Sequence, residues 1–308
     1  MTRRTAPRRG PILVTGAHRS GTTWVGRMLS IAPRTRMIHE PFNLQLESSV
    51  RFFRPGIWFL SIDAADAAGH RAAIAGVLGG FGYHRDMSKD PIRGPASLLR
   101  HARRRGAFLF RRLRGDRIIF KDPIAFFSAE WLASEFAMTP VVMIRHPAAF
   151  ASSLKLKGWT FDFRNFLDQP RLMETRLAPW RDDIARAVAD PPDIIGQGIL
   201  LWNCIYGTAL RYREEHPDWL FVTHESLSMD PVEGFRSLFA ALGLEFGPAQ
   251  ARRIEEASGR HNPAEQSEDE FRRDARANID NWKRRLSTEE IDRIFAGTGK
   301  IRPRFYDE

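Results

Sequence analysis

Five short apolar runs punctuate the chain, and each stops on charged, polar or glycine residues. Ile12-Leu13-Val14-Thr15 ends at Gly16, and Arg36-Met37-Ile38 ends at His39-Glu40-Pro41. Arg117-Ile118-Ile119-Phe120 ends at Lys121-Asp122-Pro123, Val141-Val142-Met143-Ile144 at Arg145-His146-Pro147, and Leu220-Phe221-Val222-Thr223 at His224-Glu225. Runs this short, apolar and rich in β-branched residues are what buried parallel strands require. Helical or long irregular stretches separate them, which predicts right-handed crossovers between parallel neighbours.

The helical pattern is equally readable. Trp24, Val25, Met28 and Leu29 recur at three-and-four spacing, predicting a helix with one face inward. Pro147 suits the first turn of a helix continued by Ala148 to Leu156, which brings Ser152 and Ser153 onto its first turns. Asp230-Pro231 reads as an N-cap and first residue before the stripe Phe235, Leu238, Phe239 and Leu242, with Gly243 ending the helix. Ser287-Thr288-Glu289-Glu290 reads as a capping box, with Gly297 as the stop. Two regions interrupt this order. Residues 42–115 contain Gly69, Gly76, Gly79, Gly80 and Gly82, which are expected to break the stretch up. Within it, Arg100 to Arg117 is rich in arginine interleaved with Phe108, Leu109 and Phe110. The plain reading is a solvated amphipathic helix face; the sharper one is a polyanion or membrane-surface patch. Residues 158–198, with Trp159, Phe161, Phe163, Phe166 and Trp180, read as a substrate-side lid or as helices covering the sheet. No linker or repeat divides the chain. The expectation is a basic, flexible arm over residues 1–10 and one domain over 11–308, carrying these two insertions.

Charge narrows the partners. A formal net charge of +10 favours anions, though by itself it does not choose among nucleotides, glycans, nucleic acid and membrane surfaces. No motif for specific nucleic-acid binding is found. Cys204 is the only cysteine, so an intrachain disulfide is impossible. It reads as a small buried residue. His216 and His261 lack metal-ligand spacing, and His18, His146 and His224 read as structural histidines. No apolar run approaches the roughly 20 residues that span a bilayer. The basic N-terminus lacks the apolar core of a signal peptide, so a cytoplasmic location is expected. Oligomeric state is not legible.

Candidate chemistry begins at the first strand end. Strand, glycine-bounded turn and helix place backbone N–H groups and a helix N-terminus at an anion. The spacing Gly16-x4-Gly21-Thr22-Thr23 follows the phosphate-loop pattern, except that Thr22 replaces the usual lysine and Arg19 sits inside the loop. The expected fold class is therefore α/β, a P-loop-like three-layer fold whose central parallel sheet of roughly five strands is flanked by helices. Ligands of such sheets bind outside the carboxyl ends of the strands. The five strand ends are expected to converge there and present Arg19, Glu40, Lys121 and Arg145.

Taken together, these motifs closely resemble the sulfotransferases that use 3′-phosphoadenosine 5′-phosphosulfate (PAPS). Arg19-Ser20-Gly21-Thr22-Thr23-Trp24 resembles the loop that holds the 5′-phosphosulfate, and Arg145 with Ser153 resembles the pair that clamps the 3′-phosphate. Leu200-Leu201-Trp202-Asn203 and His224-Glu225-Ser226-Leu227 with Asp230-Pro231 are similar to later landmarks of that family. Trp282-Lys283, with Arg276 six residues before, resembles a C-terminal segment adding a further phosphate contact. Glu40-Pro41 is similar to the branch acting on carbohydrates, where a glutamate activates the acceptor hydroxyl. The histidine base of the small-molecule enzymes is missing at Lys121-Asp122-Pro123.

What the resemblance implies is transfer of a sulfonate group to a hydroxyl of a sugar or glycolipid. Glu40 would be the base, Lys121 and Arg19 would stabilise charge, and no metal would be needed. Trp24 would lie against adenine or serve as core. Glu40 instead orienting Lys121, with His39 or Asp122 as base, stays open. Two other functions compete: a P-loop nucleotide or small-molecule kinase, and a non-catalytic polyanion binder using the arginine-rich segment.

Overall fold

The computed structural model describes residues 10–45, 53, 55–63, 65–89, 94–259, 262 and 274–306. The expected basic arm, apart from Gly10, and His261 lie outside the described residues. In chain order the elements are β1 (Ile12–Gly16), α1 (Thr22–Leu29), β2 (Thr35–His39), α2 (Ala67–Lys89), α3 (Pro95–Leu113), β3 (Arg117–Lys121), a 3₁₀ turn (Pro123–Ser128), α4 (Ala129–Phe136) and β4 (Thr139–Ile144). There follow α5 (Pro147–Lys157), α6 (Arg164–Leu167), α7 (Pro170–Glu174), α8 (Arg181–Ala189), α9 (Ile194–Glu215) and β5 (Leu220–Thr223). The last are α10 (His224–Met229), α11 (Pro231–Ala241), α12 (Pro248–Ser258), α13 (Trp282–Arg285) and α14 (Thr288–Thr298).

All five predicted strands form. They make one parallel sheet in the order β2-β3-β1-β4-β5, flanked by helices. The fold is thus the α/β class read from the sequence; the strand order is new information. By internal contacts the chain divides into two compact units. One comprises Met1–Thr15, Thr23–Pro140 and Ala241–Glu245; the other comprises Gly16–Thr22, Val141–Ala240 and Phe246–Glu308.

In the first unit the register does the positioning. His39 pairs with Lys121 across β2 and β3, and Val14 pairs with Lys121 across β1 and β3. The residues just past β2 and the end of β3 therefore emerge level. Ile12, Leu13, Val14, Val25, Ile38 and Phe120 are buried around them. The glycines expected to break residues 42–115 do not do so, because α2 runs through all five. A helical glycine costs about 1 kcal/mol relative to alanine. Ile74 and Val77, both buried, each return about 1.5–3 kcal/mol by leaving water. Arg117 does not belong to the arginine-rich helix face. It opens β3, and its guanidinium donates to the carbonyl oxygens of Gly10 (2.7 Å) and Leu242.

In the second unit, Ile144 pairs with Thr223, so Arg145 and His224 leave the sheet side by side. Pro147 begins α5 as expected, and α5 ends on Gly158 in the left-handed conformation. Ala148, Ala149 and Ala151 of α5 pack with Ile195, Trp282, Leu286 and Ile294. The small alanines let α9, α13 and α14 approach. The Ser287 capping box forms as predicted. Gly297 does not stop α14, which continues to Thr298. Its role is close approach, since an added Cβ would meet Ile199 Cγ2 at 2.7 Å.

Candidate active site

The loop after β1 is shaped by two glycines. Gly16 has φ +139°, and any Cβ there would overlap the Met143 carbonyl oxygen. Gly21 has φ +93°, with the His224 ring 2.6 Å from where a Cβ would stand. Between them, the Ser20 hydroxyl donates to Ala17 O at 2.6 Å, and the Ser20 N–H donates to the same oxygen at 3.2 Å. That closes a tight turn which leaves Arg19 in the left-handed region, φ +63°. Thr22 and Thr23 then open α1.

Three predicted residues of the second unit meet here. Arg19 Nε donates to Ser153 Oγ at 2.9 Å, and Arg145 Nη1 donates to Arg19 O at 2.6 Å. The Arg19 guanidinium also lies 5.3 Å from the centre of the Trp159 ring. Arg145 is held by its backbone: its N–H donates to Tyr206 Oη at 3.2 Å, and its carbonyl accepts from Trp202 Nε1 at 2.8 Å. Its Nε is buried with no hydrogen-bond partner among the described residues. Burial lowers its pKa from the ordinary arginine value; Glu225, Tyr206 and Tyr306 act in the opposite sense. Burial and then the charge of Arg145 likewise lower that of Arg19. Two neighbouring guanidiniums, one with a donor unsatisfied among the described residues, have the charge and geometry that a dianion requires.

Two tyrosines not singled out from the sequence, Tyr206 and Tyr306, complete this cluster with Glu225, His146 and Trp282. The Glu225 carboxylate accepts from the His146 N–H (3.1 Å) and from Tyr306 Oη (2.8 Å), tying the C-terminal segment to the end of β4. His146 stacks on Trp282 with centroids 5.2 Å apart. Burial, followed by the Glu225 charge, pushes the Tyr206 and Tyr306 hydroxyls upward, so both remain neutral donors. No spacing rule links Tyr206 or Tyr306 to Arg145, so only the structure reveals them. Arg276 is exposed in the turn before α13.

The first unit carries the other set. The Lys121 side chain is fully buried, with its stem against Gly26 of α1, where a Cβ would meet Lys121 Cγ at 2.9 Å. Its ammonium donates to Glu40 Oε1. Glu40 has φ +50°, and a set of hydrogen bonds holds that turn, Asn43 N–H to Glu40 O at 3.2 Å among them. Glu40 N–H donates to Lys121 O at 2.7 Å, Asn43 Nδ2 donates to Glu40 Oε2 at 2.6 Å, and Phe42 N–H donates to Asp122 Oδ2 at 2.6 Å. The other Asp122 oxygen accepts from Ile124 N–H at 2.9 Å, capping the 3₁₀ turn. His39 Nε2 stands 3.9 Å from Glu40 Oε1.

These contacts separate two carboxyls. For Glu40, burial raises the pKa, but the charges of Lys121 and His39 and the hydrogen bonds from Lys121 and Asn43 outweigh it, leaving the net shift downward. Asp122 is pushed up to about 8, chiefly by burial and then by the Glu40 charge. The pair thus carries a single negative charge opposite Lys121 near neutral pH. Trp24, offered from the sequence as adenine platform or core, is 2% exposed, a core residue of this unit.

A sequence model described as the sulfotransferase family matches residues 11–248. None of the curated proteins compared matches the chain. Among solved structures, the sulfotransferase domain of the Synechococcus PCC 7002 olefin synthase is 15% identical, with 97% of this chain and 98% of that one covered and a TM-score of 0.45. The sulfotransferase domain from the curacin biosynthetic pathway is 12% identical over 96% and 99% of the two chains, TM-score 0.49. A mouse sulfotransferase complexed with PAP is 12% identical over 98% and 87%, TM-score 0.46.

Proposed function

The chain belongs to the sulfotransferase family, and from that premise we propose that it moves the sulfonate of PAPS to a hydroxyl of a carbohydrate or glycolipid, with Glu40 as the base. The observation that carries this reading is the pair of buried Lys121 with half-buried Glu40, oriented by Asn43. In the resting pair Lys121 holds Glu40 ionised but weakly basic. When Lys121 turns to the sulfonate, Glu40 loses its counter-charge while remaining largely shielded from water, and its proton affinity rises. The acceptor oxygen then bonds to sulfur as the bond from sulfur to the 5′-phosphate oxygen breaks. The hydroxyl proton passes to Glu40, and the nucleotide bisphosphate departs.

Arg19 and Lys121 stabilise charge on the sulfonate and the bridging oxygen. Ser20, Gly21, Thr22 and Thr23 supply the loop's donors. Arg145, whose Nε lacks a partner among the described residues, reads the 3′-phosphate with Ser153, and Arg276 adds a contact from the C-terminal segment. This set neutralises a nucleotide with one 5′-phosphate without a metal. Trp24 acts as a core residue rather than stacking on the base. A cytoplasmic location accompanies the reading, in a single domain spanning residues 11–308.

Two measurements test it. In thermal shift, 3′,5′-adenosine bisphosphate at a hundredfold excess over Kd stabilises by about 2.7 kcal/mol, whereas 5′-AMP at equal concentration does markedly less. Equal shifts would remove the roles of Arg145 and Ser153. With labelled PAPS, label passes to oligosaccharide or glycolipid acceptors in preference to phenols. Glu40→Gln lowers that transfer about a hundredfold or more while the bisphosphate shift is retained; persistent transfer by this variant rules Glu40 out as base.

A further inference from the structure

Helix α3 turns its apolar residues outward. Leu98, Leu99, Leu109, Phe110 and Leu113 are all exposed, Leu113 by 87%. At 3.6 residues per turn these five, with exposed Ala102 and Gly106, occupy one sector about 120° wide. The side that faces the protein is a different one, marked by buried Ser97 and His101. Exposed arginines border the apolar sector on both edges, Arg103 on one and Arg105 on the other, with Arg100 and Arg111 further round. The Arg114 guanidinium lies 5.4 Å from the centre of the Phe110 ring, bound in turn to Asp116.

We propose that α3 is an interfacial helix that docks this protein on an anionic lipid bilayer, lying in the membrane plane. The argument is charge and apolarity in the same strip. A polyanion in water would use the arginines but gain nothing from five outward apolar side chains, which cost solvation in the free protein. A second copy of the chain would cover the leucines, yet set arginine edge against arginine edge. An anionic bilayer satisfies both features: leucines and Phe110 enter the headgroup–acyl boundary while guanidiniums stay among the phosphates. Nineteen residues lie about 28 Å along the surface. None of the described helices is long and apolar enough to cross a membrane. The net charge of +10 draws the chain toward such a surface.

Vesicle co-sedimentation of the full chain tests this. Vesicles of phosphatidylcholine with phosphatidylserine should bind at least about tenfold more tightly than phosphatidylcholine alone, and less tightly as salt rises. The triple variant Leu99→Ser, Phe110→Ser, Leu113→Ser should lose about tenfold or more in affinity. Arg103→Gln with Arg105→Gln should lose roughly twentyfold. Both should keep the bisphosphate thermal shift, which shows the fold intact; should the triple variant unfold, Leu113→Glu alone must weaken vesicle binding. Unchanged vesicle binding by the apolar variants, with heparin displacing every form equally, would overturn the lipid assignment in favour of a polyanion patch. A wild-type dimer that dissociates on the triple substitution, without vesicle binding, would overturn it in favour of self-association.

Discussion

Arg19 and Glu40 share an uncommon backbone: among the described residues only five non-glycines have positive φ, and they are two of them. For an L-residue that conformation costs about 1–2 kcal/mol, so surrounding contacts must hold it. At Glu40 those contacts are Lys121 O, Asn43 and Asp122. Asn43 is then a positioning residue. Asn43→Ala should lower kcat roughly tenfold by freeing the carboxylate, with the bisphosphate shift unchanged, in a transfer assay run beside thermal shift. Asp122 gives a pH prediction. Its folded pKa of about 8 lies above the ordinary 3.8, so between those values the folded state holds a proton that the unfolded chain releases. Its contribution is full below the lower value and is lost as pH rises through about 8. Glu40 has the opposite sign, contributing above its ordinary value and losing that as pH falls. Asp122→Asn, which cannot ionise, should therefore show a flatter melting temperature between pH 6 and 9 than the parent, read by calorimetry. A parallel decline in both would discount an elevated Asp122.

Among elements, α14 shows how local signals and packing divide the work. Its capping box is satisfied on both sides, Glu290 N–H to Ser287 Oγ at 3.2 Å and Ser287 N–H to Glu290 Oε2 at 2.8 Å. Ser287→Ala should cost about 1 kcal/mol, a fall of roughly 2 °C in melting temperature. Gly297 tests the opposite rule. By helix propensity Gly→Ala should stabilise by about 1 kcal/mol, but the Ile199 methyl occupies the space. Overpacking against a stiff β-branched side chain costs about 1–3 kcal/mol. Gly297→Ala should therefore destabilise, measured by denaturant midpoint at unchanged slope.

At the scale of the whole molecule, charge acts twice. A chain of formal charge +10 repels itself and attracts anions. Raising salt from about 20 to 200 mM should lift the melting temperature of the free protein while shrinking the shift produced by the bisphosphate. A calorimetric salt series would show the two trends crossing. If both move together, net charge does not govern either.

Strand identity, the loop and the helix caps were legible because each is local: a few β-branched residues before Gly16, a proline after Arg145, a serine three residues before Glu290. The family was legible for the same reason, since Arg19 to Trp24 and Arg145 with Ser153 carry it in short spacings. Glycine was misread twice, in α2 and at Gly297, because burial and close approach are not encoded by the residue itself. The strand order, the bond from Arg19 to Ser153, and the hold of Lys121 and Asp122 on the Glu40 turn join residues 80 to 134 positions apart or depend on a register. The same holds for the outward face of α3, where helical spacing groups Leu98, Leu99, Leu109, Phe110 and Leu113 without saying which side is covered. The sequence by itself determined the elements, the family and the candidate residues. Only tertiary structure decided which of those residues share a proton, a hydrogen bond or a solvent face, because such relations depend on distance in space and on water excluded by distant parts of the chain.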